Sequence, residues 1–306
     1  MLRNWVSLNS PWAKSSFHFW VSHLWVAYLF KTEEYRVSRN TLLRNLFFGF
    51  ACLVATISNA ATVQEQMDQF PAVKLAVEEL VLANHILYQQ NAVDGYGHIS
   101  VRNPSNPNTF FLSRSIAPSV VQVEDIMEFD MNGRPLNGDA RTAYGERFIH
   151  SGILRNRPDI NSVVHGHASA LLPFGLTGTT LKPVYHMSAF LGEGAPLFEI
   201  RHFAKPTPDS DMFVGNPDLG DALASTLGLQ YFVLMRGHGY AAGADSIKKV
   251  VFRSIYAIQN ASIQSEAMKM GTVQYLSPGE ALAAQETIEK TIGRPWQLWS
   301  EQVKKP

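Results

Sequence analysis

"VEDIMEFDMNGRPL", residues 123–136, decides the fold class. Its centre carries Ile126, Met127 and Phe129 and then meets Asn132-Gly133, the pair that best turns a chain back on itself because both positions accept positive φ. A strand returned by so tight a turn is antiparallel to its neighbour, since a parallel partner needs a crossover of a dozen or more residues. The sheet it joins is therefore not purely parallel.

Working outward, "DGYGHISVRN" (94–103) is a glycine turn into a short alternating strand, and "TFFLSRS" (109–115) is a second strand with a polar end. "INSVVHGH" (160–167) and "YFVLMRGHGYAAGA" (231–244) are apolar runs that end in glycine and histidine. Helical spacing marks residues 63–91 through Val73, Val77, Leu80, Val81 and Leu87, with Pro71 at a start or kink. His85 in this run is a packed or surface histidine. Residues 145–158, 245–271 and 277–290 are further helices, the second capped by Asp245 or Ser246 and stopped at Gly271. The third has Ser277 and Glu280 at capping-box spacing and Pro278 in its first turn. Helices alternating irregularly with strands predict a layered α/β protein around a mixed or antiparallel sheet.

The chain has 306 residues, 46% of them hydrophobic, and a net charge of +0, which suits one large globular domain or two small ones and excludes a nucleic-acid protein. No linker or repeat divides residues 61–306, so one domain is expected there. Residues 1–60 carry six Lys/Arg against two Asp/Glu, leaving 20 and 24 for the rest. Arg39 and Arg44 followed by "LFFGFACLVATI" and "SNA" read as a signal peptide over residues 38–60, cut after Ala60. The apolar run is shorter than the roughly 20 residues a spanning helix needs, so no stable membrane anchor is expected. A periplasmic or secreted protein follows. Cys52, the only cysteine, lies inside the leader. Residues 1–37 precede the signal awkwardly and suggest a start-site artefact.

His165 and His167 stand two apart at a strand end, so both imidazoles share one face and can meet one ion. Rim histidines bonded to backbone or water are the competing reading for such a pair. His238, between Gly237 and Gly239 after another apolar strand, adds a third imidazole, and three leave room on a divalent cation for substrate. Glu146 opens the helix that returns to the His165 strand, so its carboxylate can lie near the metal without being a ligand. His150, four residues on, is structural or outer-shell.

A glutamate opening a helix, then Arg157-Pro158-Asp159, an apolar strand into His-x-His, and a late "GHG" together resemble the class II aldolase and adducin family, which includes L-fuculose-phosphate aldolase and L-ribulose-phosphate 4-epimerase. "GHISVR" (97–102) is similar to that family's "GNISVR" turn. The resemblance runs from about Val73 to Met270. It implies a three-layer α/β/α sandwich, a homotetramer, and a divalent cation on His165, His167 and His238. The ion is usually Zn(2+), with Fe(2+) or Mn(2+) as alternatives. Glu146 becomes the proton-transfer residue.

Where sugar-phosphate members keep an Asn and hydroxyl-bearing phosphate ligands, this sequence has His98, "SRSIAPS" from Ser113, and Tyr144-Gly145. Phosphate recognition is therefore not expected. Ser113 and Ser115 remain hydrogen-bond donors, Arg114 offers a planar fork for a carboxylate or is a surface arginine, and His186 is a substrate contact or general acid, or else a satisfied loop histidine. The expected function is a metal-dependent lyase, aldolase or decarboxylase, working through a metal-stabilised enolate on a small non-phosphorylated carbonyl or carboxylate substrate. A non-haem iron oxygenase on the same three histidines and an adducin-like non-catalytic interaction domain are the alternatives.

Overall fold

The computed structural model describes residues 61–203 and 210–304. The leader expected over residues 38–60, and its boundary, lie outside the described residues. No helix among those described is long and apolar enough to cross a membrane.

The first amphipathic run is divided into α1 (Val63–Gln69) and α2 (Pro71–Gln89). Phe70 between them is extended, φ −123° and ψ 107°, because the proline ring disfavours helical geometry in the residue before it. Pro71 itself starts α2, where a missing N–H costs nothing. Then come β1 (His98–Arg102), β2 (Thr109–Ser113) and β3 (Ile126–Asp130), each antiparallel to the next. The chain does turn here, but around Met131-Asn132: the Gly133 N–H donates to the Asp130 carbonyl, and Gly133 alone, not Asn132, takes positive φ, at 75°. Its returning limb makes only one bridge, Phe129 with Pro135. Pro135 brings no N–H to a ladder, so no strand propagates there.

The chain continues through α3 (Arg147–Asn156), β4 (Ser162–Gly166), the short α4 (Leu172–Leu176), β5 (Leu197–Phe198), α5 (Pro217–Leu227), β6 (Phe232–Met235) and β7 (Gly239–Ala244). It closes with α6 (Ile247–Met270), α7 (Pro278–Glu289) and α8 (Gly293–Val303). Ser246 precedes α6 and Gly271 ends it, and Ser277 with Glu280 closes a capping box on α7, as the sequence indicates.

The seven strands lie in the order β3-β2-β1-β4-β7-β6-β5. Every pairing is antiparallel except β5 with β6. Alternate residues point to opposite faces. Ile99, Val101, Phe111, Val164 and Ala242 pack with Val77 and Leu80 of α2, Val251 of α6 and Trp299 of α8. Phe110, Leu112, Met127, Phe129, Val163 and Ala241 pack with Ile149 and Ile153 of α3 and Leu223 and Leu227 of α5. Two cores, one on each face, make the expected α/β/α sandwich. Covering both faces leaves β4 buried throughout, which is why its sequence shows no polar alternation.

Two local devices hold α3 against the sheet. A Cβ on Gly152 would stand 2.3 Å from the Gly220 backbone, so only glycine permits α3 and α5 to approach this closely. Arg102, at the end of β1, spreads its guanidinium over the carbonyls of Pro107 (2.8 Å), Leu154 (2.7 Å) and Ile160 (2.9 Å). It thereby ties the end of α3 and the entry to β4 to one point, and a planar five-donor group is suited to that task.

Candidate metal centre

Strand register brings the three histidines together. β4 pairs with both β1 and β7, so His165 lies opposite His98 on one side and Ala241 on the other. β6 and β7 are joined by Arg236-Gly237-His238 alone, and Gly237 takes φ 61° in that turn. His238 is thus delivered to the end of β7 nearest His165. His167 lies one residue past β4. Gly166 between the two histidines is required: a Cβ there would meet the Ala92 carbonyl at 2.7 Å.

The donor atoms converge. One ligand atom from each of Glu146, His165, His167 and His238 lies within 4.8 Å of all the others. His165 Nε2 is 3.0 Å from His167 Nε2, and Glu146 Oε2 is 3.4 Å from Nε2 of both His165 and His238. A tetrahedral cation with bonds of about 2.0–2.1 Å separates its donors by about 3.4 Å, close to these edges. The tautomers agree: His165 Nδ1 sits 2.8 Å from the Tyr240 carbonyl and must donate to it, which leaves the Nε2 lone pair facing the cluster. Lone pairs facing each other at 3.0 Å repel unless a proton or cation lies between them. The residues present therefore fit a divalent metal. His238 Nδ1, buried, has no partner among the described residues.

Glu146 is the residue before α3, yet its side chain does not cap the helix. Its Oε1 accepts from the Val214 N–H at 3.1 Å, and Oε2 completes the donor cluster. Burial alone would raise this carboxyl, but hydrogen bonds and charge from His165 and His238 outweigh it and hold Glu146 well below the ordinary carboxylate range. Glu146 stands beside the three imidazoles, where the sequence reading expects it, with Oε2 within the same cluster of donor atoms. His167 is lowered to about 4, first by burial and then by His165 and His238. His167 is therefore neutral at ordinary pH, the form of imidazole that binds metal.

Beside the cluster opens a pocket of about 280 Å³, lined by Tyr96, His98, Ser115, Ile116, Ala117, Tyr144, Glu146, His167 and Phe213 together with glycines. His98 and Ser115, both named as candidates from the sequence, are on this wall. Ser113 is fully buried behind the wall, 3.3 Å from the Tyr144 hydroxyl. Arg114 is a correction: its Nε pairs with Asp125 at 2.7 Å, and it does not line the pocket. His186 is another: within this chain it borders a separate depression with Phe252, Arg253 and Glu289, held there by packing of residues 186–191 against α6 and α7. Phe213 and Val214 escaped the sequence reading because their connecting segment carries no periodic or motif signal. Tyr96 and Tyr144 were visible only as neighbours of His98 and Glu146.

The sequence family described as Class II Aldolase and Adducin N-terminal domain matches residues 78–265. The decarboxylase tropJ of Talaromyces stipitatus is 36% identical over 250 residues, 75% of this chain and 94% of that protein. A 3,4-dihydroxyphthalate decarboxylase of Arthrobacter keyseri is 30% identical over 190 residues, 59% of this chain and 73% of the relative. Among solved structures, an L-fuculose 1-phosphate aldolase from Glaciozyma antarctica superposes with a TM-score of 0.62 at 19% identity, covering 80% of this chain and 92% of that one. With its sheet order, its His-x-His strand end and its match over most of the described residues, the chain belongs to the class II aldolase and adducin family.

Proposed function

We propose that this protein is a metal-dependent decarboxylase of the class II aldolase type, acting on a small aromatic acid that carries an oxygen beside the bond to be broken. The observation that carries this reading is the pocket wall: among its described lining residues there is no Lys or Arg, while Tyr96, Ile116, Tyr144 and Phe213 offer flat apolar surface. The Asn and hydroxyl-bearing side chains with which sugar-phosphate members hold phosphate are replaced here by His98 and Tyr144-Gly145, whereas a planar acid is served by aromatic walls and a few aimed polar groups. Two relatives named as decarboxylases support the same reaction class.

His165, His167 and His238 would hold the cation, zinc in the first instance. When bound, it supplies Lewis-acid stabilisation of negative charge on an oxygen next to the breaking bond. Glu146 stays ionised while it touches His165 and His238. A substrate that parts it from them removes the contacts that depress its pKa, and burial then raises its proton affinity. The same carboxylate would thus serve as a proton carrier once substrate is bound. Tyr144, whose hydroxyl contacts Ser113 and Ile116, fixes the wall against which a ring would lie.

The test is metal analysis of the protein from Ala61 onward, then CO2 release from ortho-hydroxy aromatic acids against sugar phosphates, with Glu146→Gln as control. Zinc content with CO2 release only from the acids is expected. Turnover confined to sugar phosphates would overturn the substrate reading, and tightly held Fe(2+) with dioxygen uptake would replace it by an oxygenase. Export, with a mature N-terminus at Ala61, and a homotetrameric assembly belong to the same proposal. N-terminal sequencing of secreted protein and light scattering check them.

A further inference from the structure

Behind the pocket, three side chains run in a line from the sheet interior to the cavity. Ser100, at the centre of β1, is fully buried. Its Oγ lies 2.7 Å from His150 Nδ1, and His150 Nε2 lies 2.6 Å from His98 Nδ1. His98 lines the pocket, and its Nε2 has no hydrogen-bond partner among the described residues and is not enclosed.

The direction of this chain follows from counting hydrogens. A serine hydroxyl has one, and for Ser100 the acceptor among the described residues is His150 Nδ1. The neighbouring Ser162 hydroxyl spends its own hydrogen on the Ser100 carbonyl at 2.7 Å. The reverse arrangement, with His150 Nδ1–H donating to Ser100, would strand a buried hydroxyl hydrogen, a loss larger than a typical hydrogen bond's net gain. The Val163 carbonyl also borders His150, but makes no hydrogen bond of ordinary geometry with it and does not offset that loss. Once Nδ1 accepts, the neutral His150 ring carries its hydrogen on Nε2. At 2.6 Å the two facing nitrogens share a single hydrogen, so His150 donates and His98 Nδ1 accepts. His98 must then carry its own hydrogen on Nε2, towards the cavity.

We propose that Ser100 and His150 lock His98 as a neutral Nε2–H donor that binds an anionic oxygen, carboxylate or phenolate, of the aromatic acid in the pocket. This rests on the decarboxylase reading in one respect, that the ligand is such an acid. Ser100 and His150 are positioning residues: they touch no ligand and fix which hydrogen His98 offers. A neutral donor suits a decarboxylase, because it orients a carboxylate without the full ionic stabilisation that would oppose its loss.

Imidazole nitrogen shifts in NMR of the zinc-loaded protein read the tautomer directly. His98 is expected to show hydrogen on Nε2 and a bare Nδ1, with Ser100→Ala releasing that preference. Hydrogen on Nδ1, or on both nitrogens at neutral pH, overturns the proposal. Calorimetry with salicylate as probe reads the contact. His98→Phe should weaken binding about 10- to 100-fold, the range for a hydrogen bond to a charged group. His98→Asn, which keeps an amide donor, should recover part of it. Equal affinity in wild type and His98→Phe, or no binding to wild type, overturns the contact. Absence of CO2 release with tautomer and salicylate binding intact would sink the decarboxylase reading alone; CO2 release from His98→Phe with unchanged KM would sink the donor role alone.

Discussion

Acidifying the metal-free protein should cost it stability before any carboxylate titrates. His150 is wholly enclosed, and burial, followed by the neighbouring His165, lowers its pKa from 6.5 to about 3. His98 is pushed the same way, by burial first and then by His150 and His165. Both rings are therefore neutral in the folded protein while their unfolded counterparts take up protons below pH 6.5. The folded state binds fewer protons, so stability is full above that value and falls as the pH drops. Between about pH 7.5 and about pH 5.5, each such histidine removes about 1.4 kcal/mol. The pair together removes about 3 kcal/mol, a large part of the roughly 5–15 kcal/mol that a domain possesses. His167, open to the pocket, adds a smaller share. Urea unfolding of chelator-treated protein across this window measures the loss, and His150→Gln should cut it by about half. A flat profile, or an undiminished slope in His150→Gln, would refute the assignment of neutral buried imidazoles behind the pocket.

Glu146→Gln should weaken zinc binding about 10- to 100-fold, as for loss of a carboxylate at the metal's edge, and abolish CO2 release; competition with a chromophoric chelator and a turnover assay read the two effects separately. His238→Ala should leave the protein folded by circular dichroism but without stoichiometric zinc by elemental analysis. Gly152→Ala should destabilise by about 1–3 kcal/mol in thermal melts, because its Cβ falls 2.3 Å from the Gly220 backbone. Arg102→Met should cost about 2–4 kcal/mol in urea unfolding, since it strands the carbonyls of Leu154 and Ile160.

The sandwich was legible where hydrophobic spacing and turn chemistry agreed. Asn132-Gly133 announced an antiparallel sheet, and Pro71, Ser246, Gly271 and the Ser277-Glu280 pair marked helix ends that the structure keeps. The two-residue β5 was not legible, nor was its parallel pairing with β6, because so short a segment has no period to read. In the site, His165, His167 and His238 stood out by residue type and by position at strand ends. Glu146 was found, but not the contact that orients its carboxylate, which comes from Val214, 68 residues away. For Arg114 and His186 the sequence left a substrate contact and a surface or loop role open for one reason: a side chain's chemistry says what it can bind, whereas its neighbours decide what it does bind. Asp125 claims one of them, and packing against α6 and α7 places the other.

The ladder between β4 and β7, with His165 opposite Ala241 and Gly166 opposite Tyr240, acts as a ruler for the donor set. Two of the imidazoles are spaced by main-chain hydrogen bonds inside a doubly covered sheet, and slipping that ladder by one residue would turn buried side chains to the wrong face. The pocket wall is made differently. Tyr96, Ile116, Tyr144 and Phe213 all sit between regular elements, where exchanges leave the ruler untouched. Such a division lets substrate choice drift through loop replacement while the ion-binding geometry is inherited intact. Grafting the wall segments of a sugar-phosphate relative onto this sheet, with Glu146 and its Val214 contact kept, should accordingly alter what is cleaved without loosening the metal.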